Sequence, residues 1–140
     1  MPDHTPMDLA VFADDEGNSV RITVLGPEPS WSGGFAAEII VETPFVNGRT
    51  DLILYDSKLQ AWAEALDRLD AGEDIAWMEM SNGPSVFIRL AGDRDCPEVT
   101  VEDESHSMVT VRVPVVLPDG WIADHRERLR LLREGPRPRP

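Results

Sequence analysis

His4, His106, His125 and Cys96 are the imidazoles and the one thiol of this 140-residue chain, and they set the first limits on its chemistry. A metal centre takes such ligands at short helical or hairpin spacings. No His-x-x-x-His pair occurs, and one cysteine supplies neither a disulfide framework nor a thiolate cluster. Cys96 stands in DRDCPE, among carboxylates that disfavour the thiolate form that attacks. DDEGN places Asp14, Glu16 and Asn18 at alternate positions, as the start of a calcium loop would. The glycine comes too early, at Gly17, and Leu25 occupies the position where the bidentate glutamate belongs. WSGGF has no following Lys-Ser/Thr, so no phosphate cradle forms there, and no G-x-S-x-G elbow is present. These residues imply no catalytic centre, no metal site and no cofactor.

Charge narrows the partners. The net charge is −13, and it is uneven: residues 1–120 carry 7 basic against 23 acidic side chains, whereas residues 121–140 carry 6 against 3. An acidic body repels nucleic acid and anionic membrane and attracts a basic protein. No apolar run is long enough to span a bilayer, and the start MPDHTPMDLAVFADDEG has no basic and apolar leader pattern. A cytoplasmic, reduced setting is the expectation.

The elements that would position any site follow from periodicity. MDLAVFA and NSVRITVLG read as strands around the DDEGN turn, with Val20, Ile22 and Val24 sharing one face. FAAEIIVET puts Phe35, Ala37, Ile39 and Val41 opposite Glu38 and Glu42, and Asn47-Gly48 has hairpin-turn chemistry. Leu59, Trp62, Ala63, Leu66 and Leu69 then form a stripe with the helical period. Asp56 or Ser57 is its expected cap, Ser57 and Gln60 have capping-box spacing, and Gly72 is the expected stop. EDIAWMEM, PSVFIRLA, PEVTVED and MVTVRVPVVL return to strands, with SNGP as a turn. DGWIADHRERLRLLREG is a second helix with Asp119 as cap and Trp121, Ile122, His125, Leu129 and Leu132 along one side. The expected fold class is α+β, a mostly antiparallel β-sheet of about eight short strands with one central helix on a face and a C-terminal helix. Residues 1–134 form one domain and 135–140 an extended Arg/Pro tail.

At DLILYDSKLQAWAEALDRLDAGEDIAWME the chain resembles a family of small uncharacterised proteins from actinomycetes. The shared positions are Asp51, Leu52, Leu54, Leu59, Trp62, Leu66, Leu69, Gly72 and Trp77, with Trp121, His125 and Leu129 later in the chain. The resemblance implies a common fold and carries no assigned activity. The strand-helix-strand plan is also similar in layout to small immunity proteins of bacterial polymorphic-toxin systems.

Function is therefore expected on surfaces. The leading expectation is a non-catalytic protein-binding module, immunity-like, that recognises a basic partner through Asp14, Asp15, Glu38, Glu42, Glu102 and Asp103, with Trp31 as an aromatic anchor in a Pro/Gly loop. One alternative is a small enzyme with a carboxylate-based site in a cleft; another is a structural or regulatory subunit docking through its C-terminal helix.

Overall fold

The computed structural model describes residues 6–28, 33–79, 83–93, 95–104 and 107–134. Along these residues run β1 (Met7–Ala13), β2 (Ser19–Pro27), β3 (Phe35–Glu42), β4 (Asn47–Leu54), α1 (Asp56–Asp70), β5 (Ile75–Trp77), β6 (Ser85–Arg89), β7 (Glu98–Asp103), β8 (Val109–Pro114) and α2 (Trp121–Arg133). The α+β class and the antiparallel pairing are as expected. The strands divide, however, into two four-stranded sheets, β1-β2-β3-β4 and β5-β6-β7-β8. His4, His106, Trp31, the SN of SNGP and the tail at 135–140 lie outside the described residues.

Three local expectations are corrected. The β3–β4 turn is Thr43–Val46, and Asn47 and Gly48 instead pair with Glu42 and Val41. A turn at Asn47-Gly48 would slide Ala37 and Ile39 past the end of β4, whereas the observed register pairs Phe35–Glu42 with Asn47–Leu54 in full. Helix α1 starts after Tyr55 with no side-chain cap, and Gln60 reaches forward to Glu64, 3.3 Å away. Helix α2 follows Gly120, at φ +80°, and Asp119 makes no cap. The stop at Gly72 is as expected: with φ +86°, its N–H donates to Leu69 and that of Glu73 donates to Arg68, a Schellman ending.

The apolar faces of both sheets and the inward stripes of both helices join one core. On α1 the stripe is Leu59, Trp62, Ala65, Leu66 and Leu69, with Ala63 only half-buried. At its centre the Trp62 and Trp77 rings stack with centroids 4.6 Å apart, and Phe12 meets Trp62 edge-on at 6.4 Å. His125 stacks on Phe12 at 5.0 Å, and Trp121 stands edge-on to both. This aromatic cluster ties β1, α1, β5 and α2 together. Aromatic pairs of this geometry are worth about 0.5–1.5 kcal/mol beyond their burial. Trp62 and Trp77 are thus core residues, 0% and 1% exposed.

Helix α2 also closes the open edge of β1. The Val11 N–H donates to His125 Nε2 at 3.0 Å, and Arg128 Nη1 donates to the Asp8 carbonyl at 3.0 Å. An uncovered strand edge invites pairing with other chains, so the helix satisfies backbone groups and blocks that route together. Arg126 fastens α2 to α1 through Asp67 and Asp70, at 2.9 and 3.4 Å. On the opposite edge of the sheet, Lys58 Nζ donates to the Ile53 carbonyl of β4 at 2.9 Å.

Trp62 is the position where this packing is tested. Trp62→Ala should lower unfolding free energy by about 3–5 kcal/mol, the usual range for deleting a buried aromatic. Denaturant titration checks it, and a loss below about 1 kcal/mol, typical of a surface substitution, would contradict the role of this ring.

Candidate binding surface

Two turns meet at one end of the first sheet. In the β1–β2 turn, Asp14 accepts hydrogen bonds from the N–H groups of Glu16 (2.8 Å) and Asn18 (3.1 Å) and from the Asn18 side chain (3.0 Å). Desolvation pushes the Asp14 carboxyl up, but these bonds outweigh it and hold the group below its ordinary value. Asp14 therefore builds the turn, which presents Asp15 and Glu16 outward, both exposed. In the β3–β4 turn, Thr43 Oγ1 accepts from the N–H groups of Phe45 (3.1 Å) and Val46 (2.7 Å) and donates to the Val46 carbonyl. Pro44 sets the next φ. A Cβ at Gly17 would stand 3.5 Å from Pro44 Cγ, which measures how close the two turns lie. Phe45 projects from this clamped turn, 94% exposed, the most exposed large apolar side chain among the described residues.

The expected binding residues scatter over three places. Asp14, Asp15 and Glu42 lie at this turn end, Glu42 being the last residue of β3. Glu42 is ion-paired to Arg21 at 2.9 Å and Glu38 to Arg49 at 3.4 Å, so the outward face of the first sheet is partly neutralised. Glu102 and Asp103 belong to β7 in the other sheet. Asp103 accepts hydrogen bonds from Thr50 of β4 and from Ser107 in the β7–β8 turn, a bridging role. Trp31 is outside the described residues. Phe45 was not among the expected residues. Its signal was present in TPFVN, where an aromatic follows proline in a stretch too short to bury it, but Asn47-Gly48 carries the stronger local turn chemistry.

Every described arginine lies within salt-bridge distance of a carboxylate. The surplus acids, Asp15 and Glu16 among them, make no ion pair among the described residues. Negative potential therefore remains at the turn end beside Phe45, and the described arginines are already committed.

The second sheet offers a different feature. Its outward face forms an open concavity of about 890 Å³ lined by Phe87, Thr100, Glu79, Glu102, Arg89 and Arg112. At its rim Glu98 is 2% exposed, accepts the Asp93 N–H at 3.0 Å and sits 3.3 Å from Arg89 Nη1. A Cβ at Gly92 would overlap the Glu98 side chain, so glycine is required for the loop to close over the buried carboxylate. Asp14 and Glu127, two carboxyls whose titration is displaced, both move down, and neither lines this concavity. Among the described residues no group of histidines, cysteines and acids is arranged to hold a metal ion, and no helix is long and apolar enough to cross a membrane.

His125, a candidate by residue type, is occupied structurally. With Nε2 accepting from Val11, Nδ1 must carry the proton and donate to the Trp121 carbonyl at 2.6 Å. Burial lowers its pKa; the Trp121 bond and Asp124 work against this, and Arg128 reinforces it.

A two-sheet α+β body with an aromatic-tipped acidic end defines the class of protein. The chain belongs to a family of unknown function, DUF5959, whose model matches residues 7–135. No curated protein and no solved structure matches it.

Two measurements test these assignments. The folded His125 ring stays neutral below 6.5, its ordinary value, while the unfolded chain's histidine takes up a proton. The His125 contribution should therefore be complete above that value and be lost as pH falls through it toward the lower folded pKa. Urea titrations should show this loss in the wild type, and His125→Phe, although less stable, should have a flatter profile over that range; equal slopes would contradict it. Gly92→Ala should destabilise by about 1–3 kcal/mol through overpacking, and an unchanged midpoint would refute the clash.

Proposed function

We propose that this protein is a non-catalytic protein-binding module whose contact surface is the turn end of the first sheet, with Phe45 as anchor and Asp15 and Glu16 as its charged rim. The single observation that carries this reading is a nearly fully exposed phenylalanine on a turn held rigid by three Thr43 hydrogen bonds. An isolated protein gains nothing by solvating such a ring, whereas a preorganised aromatic anchor loses little entropy on binding and is the usual centre of an interface. The adjacent unpaired acids select a basic partner and speed its approach. Glu42 extends the rim, and its ion pair with Arg21 makes it a weaker contributor than Asp15 or Glu16. An immunity-like role fits this reading, since neutralising a basic protein requires only an acidic surface with one apolar anchor. The carboxylate-enzyme alternative has the concavity of the second sheet in its favour, but the arginines there neutralise much of the acidic lining.

Affinity capture from the native source with three baits tests the proposal: wild type, Phe45→Ala, and Asp15→Lys/Glu16→Lys. Both variants should keep the wild-type melting temperature, because neither site packs on the core. A basic protein held by wild type should be lost by at least about tenfold on Phe45→Ala, corresponding to the loss of about 1.4 kcal/mol or more. It should be weakened by the charge reversal and by salt. A partner retained equally by all three baits would overturn the assignment of this surface.

A further inference from the structure

We infer that β8 is a self-association edge, through which two copies of this chain join their second sheets into one continuous eight-stranded sheet. The four strand edges are treated differently. The β1 edge is covered by α2 through His125 and Arg128. The β4 edge carries Arg49 and Asp51 and is capped at Ile53 by Lys58. The β5 strand is three residues long and packs against α1. Among the described strands, β8 pairs with β7 alone. Exposed apolar side chains lie on it and just beyond its two ends: Val109 is 53% exposed, Met108 82% and Val116 66%.

The register of the ladder says which backbone groups are free. The Val115 N–H donates to the Pro97 carbonyl, continuing the β7–β8 pairing, so the odd-numbered residues of β8 face β7. The N–H and C=O groups of Thr110 and Arg112 therefore point outward, and no described residue hydrogen-bonds them. Pro114, next in that series, has no N–H and ends the pairing surface.

This short edge is self-complementary. A two-fold axis at Val111 sets Thr110 against Arg112 of the second copy and the reverse, and all the outward groups of both residues are then bonded. Val109 comes opposite Val113 of the second copy, and Met108 opposite Pro114. No like charges face each other. An axis at Arg112 would oppose two arginines, and one at Val113 would set Arg112 against a proline without a donor. An axis at Thr110 would set Arg112 against Met108, whose N–H is already bonded to Asp103. A second copy aligned on Val111 is thus the occupant that the edge fits.

Sedimentation velocity of the full chain, from low to high micromolar concentration, tests the inference. The mass should rise from 15.6 kDa toward twice that value. Thr110→Pro, which removes an outward donor without touching the β7 ladder, and Val109→Lys should both remain monomeric with unchanged circular dichroism. Should Thr110→Pro fail to fold, Val109→Lys decides alone. The axis is read separately in a Cys96→Ser background: Val111→Cys pairs across the axis and should form a disulfide-linked dimer on mild oxidation, and Thr110→Cys should not. A wild type that stays monomeric throughout, a dimer that survives Val109→Lys, or equal crosslinking of the two cysteine variants would overturn the proposal.

Discussion

The hydrogen bond from the Val11 N–H to the buried His125 ring is the interaction on which the rest of the structure depends. A strand edge needs a partner for its outward N–H, and a buried imidazole needs partners for both nitrogens; each satisfies the other. Because the ring lies flat on Phe12, the same residue places α2 against the aromatic cluster that joins both sheets to α1. Breaking this bond would leave the buried His125 nitrogen unsatisfied, at a cost of about 1–3 kcal/mol, and the half-buried Val11 N–H without its partner. Burial keeps the ring neutral, so the contact holds only in the protonation state that gives Nε2 a free lone pair.

Electrostatics follows a similar division between commitment and surplus. The arginines of α2 look from their clustering like a basic face, yet they are spent within the molecule: Arg126 on α1, Arg128 on Asp124 and on the β1 edge, Arg130 on Glu127 and Glu134, and Arg133 on Asp56. What remains is acid without a counter-charge, and part of it lies at the turn end beside Phe45. The surface that this protein offers to a partner is set as much by where its cations are used up as by where its acids lie.

The two sheets have different outward characters. The first carries paired charges across its strands and ends in two rigid turns. The second is concave, mixed in charge and bordered by β8, whose outward backbone groups no described residue hydrogen-bonds. The proposed partner surface and the proposed self-association edge thus fall on different sheets, joined through the common core and the Thr50–Asp103 hydrogen bond.

The alternation of Val20, Ile22 and Val24, the stripe of Leu59, Trp62, Leu66 and Leu69, and the stop at Gly72 were legible in the sequence. Each rests on a period or a local backbone requirement that nearest neighbours enforce. The class of fold and the core role of both tryptophans follow from those patterns alone. The β3–β4 turn was not legible, because Asn47-Gly48 has the better local chemistry and lost to a register that only the full strand pairing rewards. The division into two sheets was not legible either, since it turns on β4 and β5, the strands that flank α1, not pairing, and the closing of β1 by His125 was not, since it joins residues 114 positions apart. Phe45 and the acids beside it illustrate the limit most directly. Composition determined that the chain is acidic, but the tertiary structure decided which acids stay unpaired and which aromatic stays in water, because pairing and burial are properties of neighbours in space.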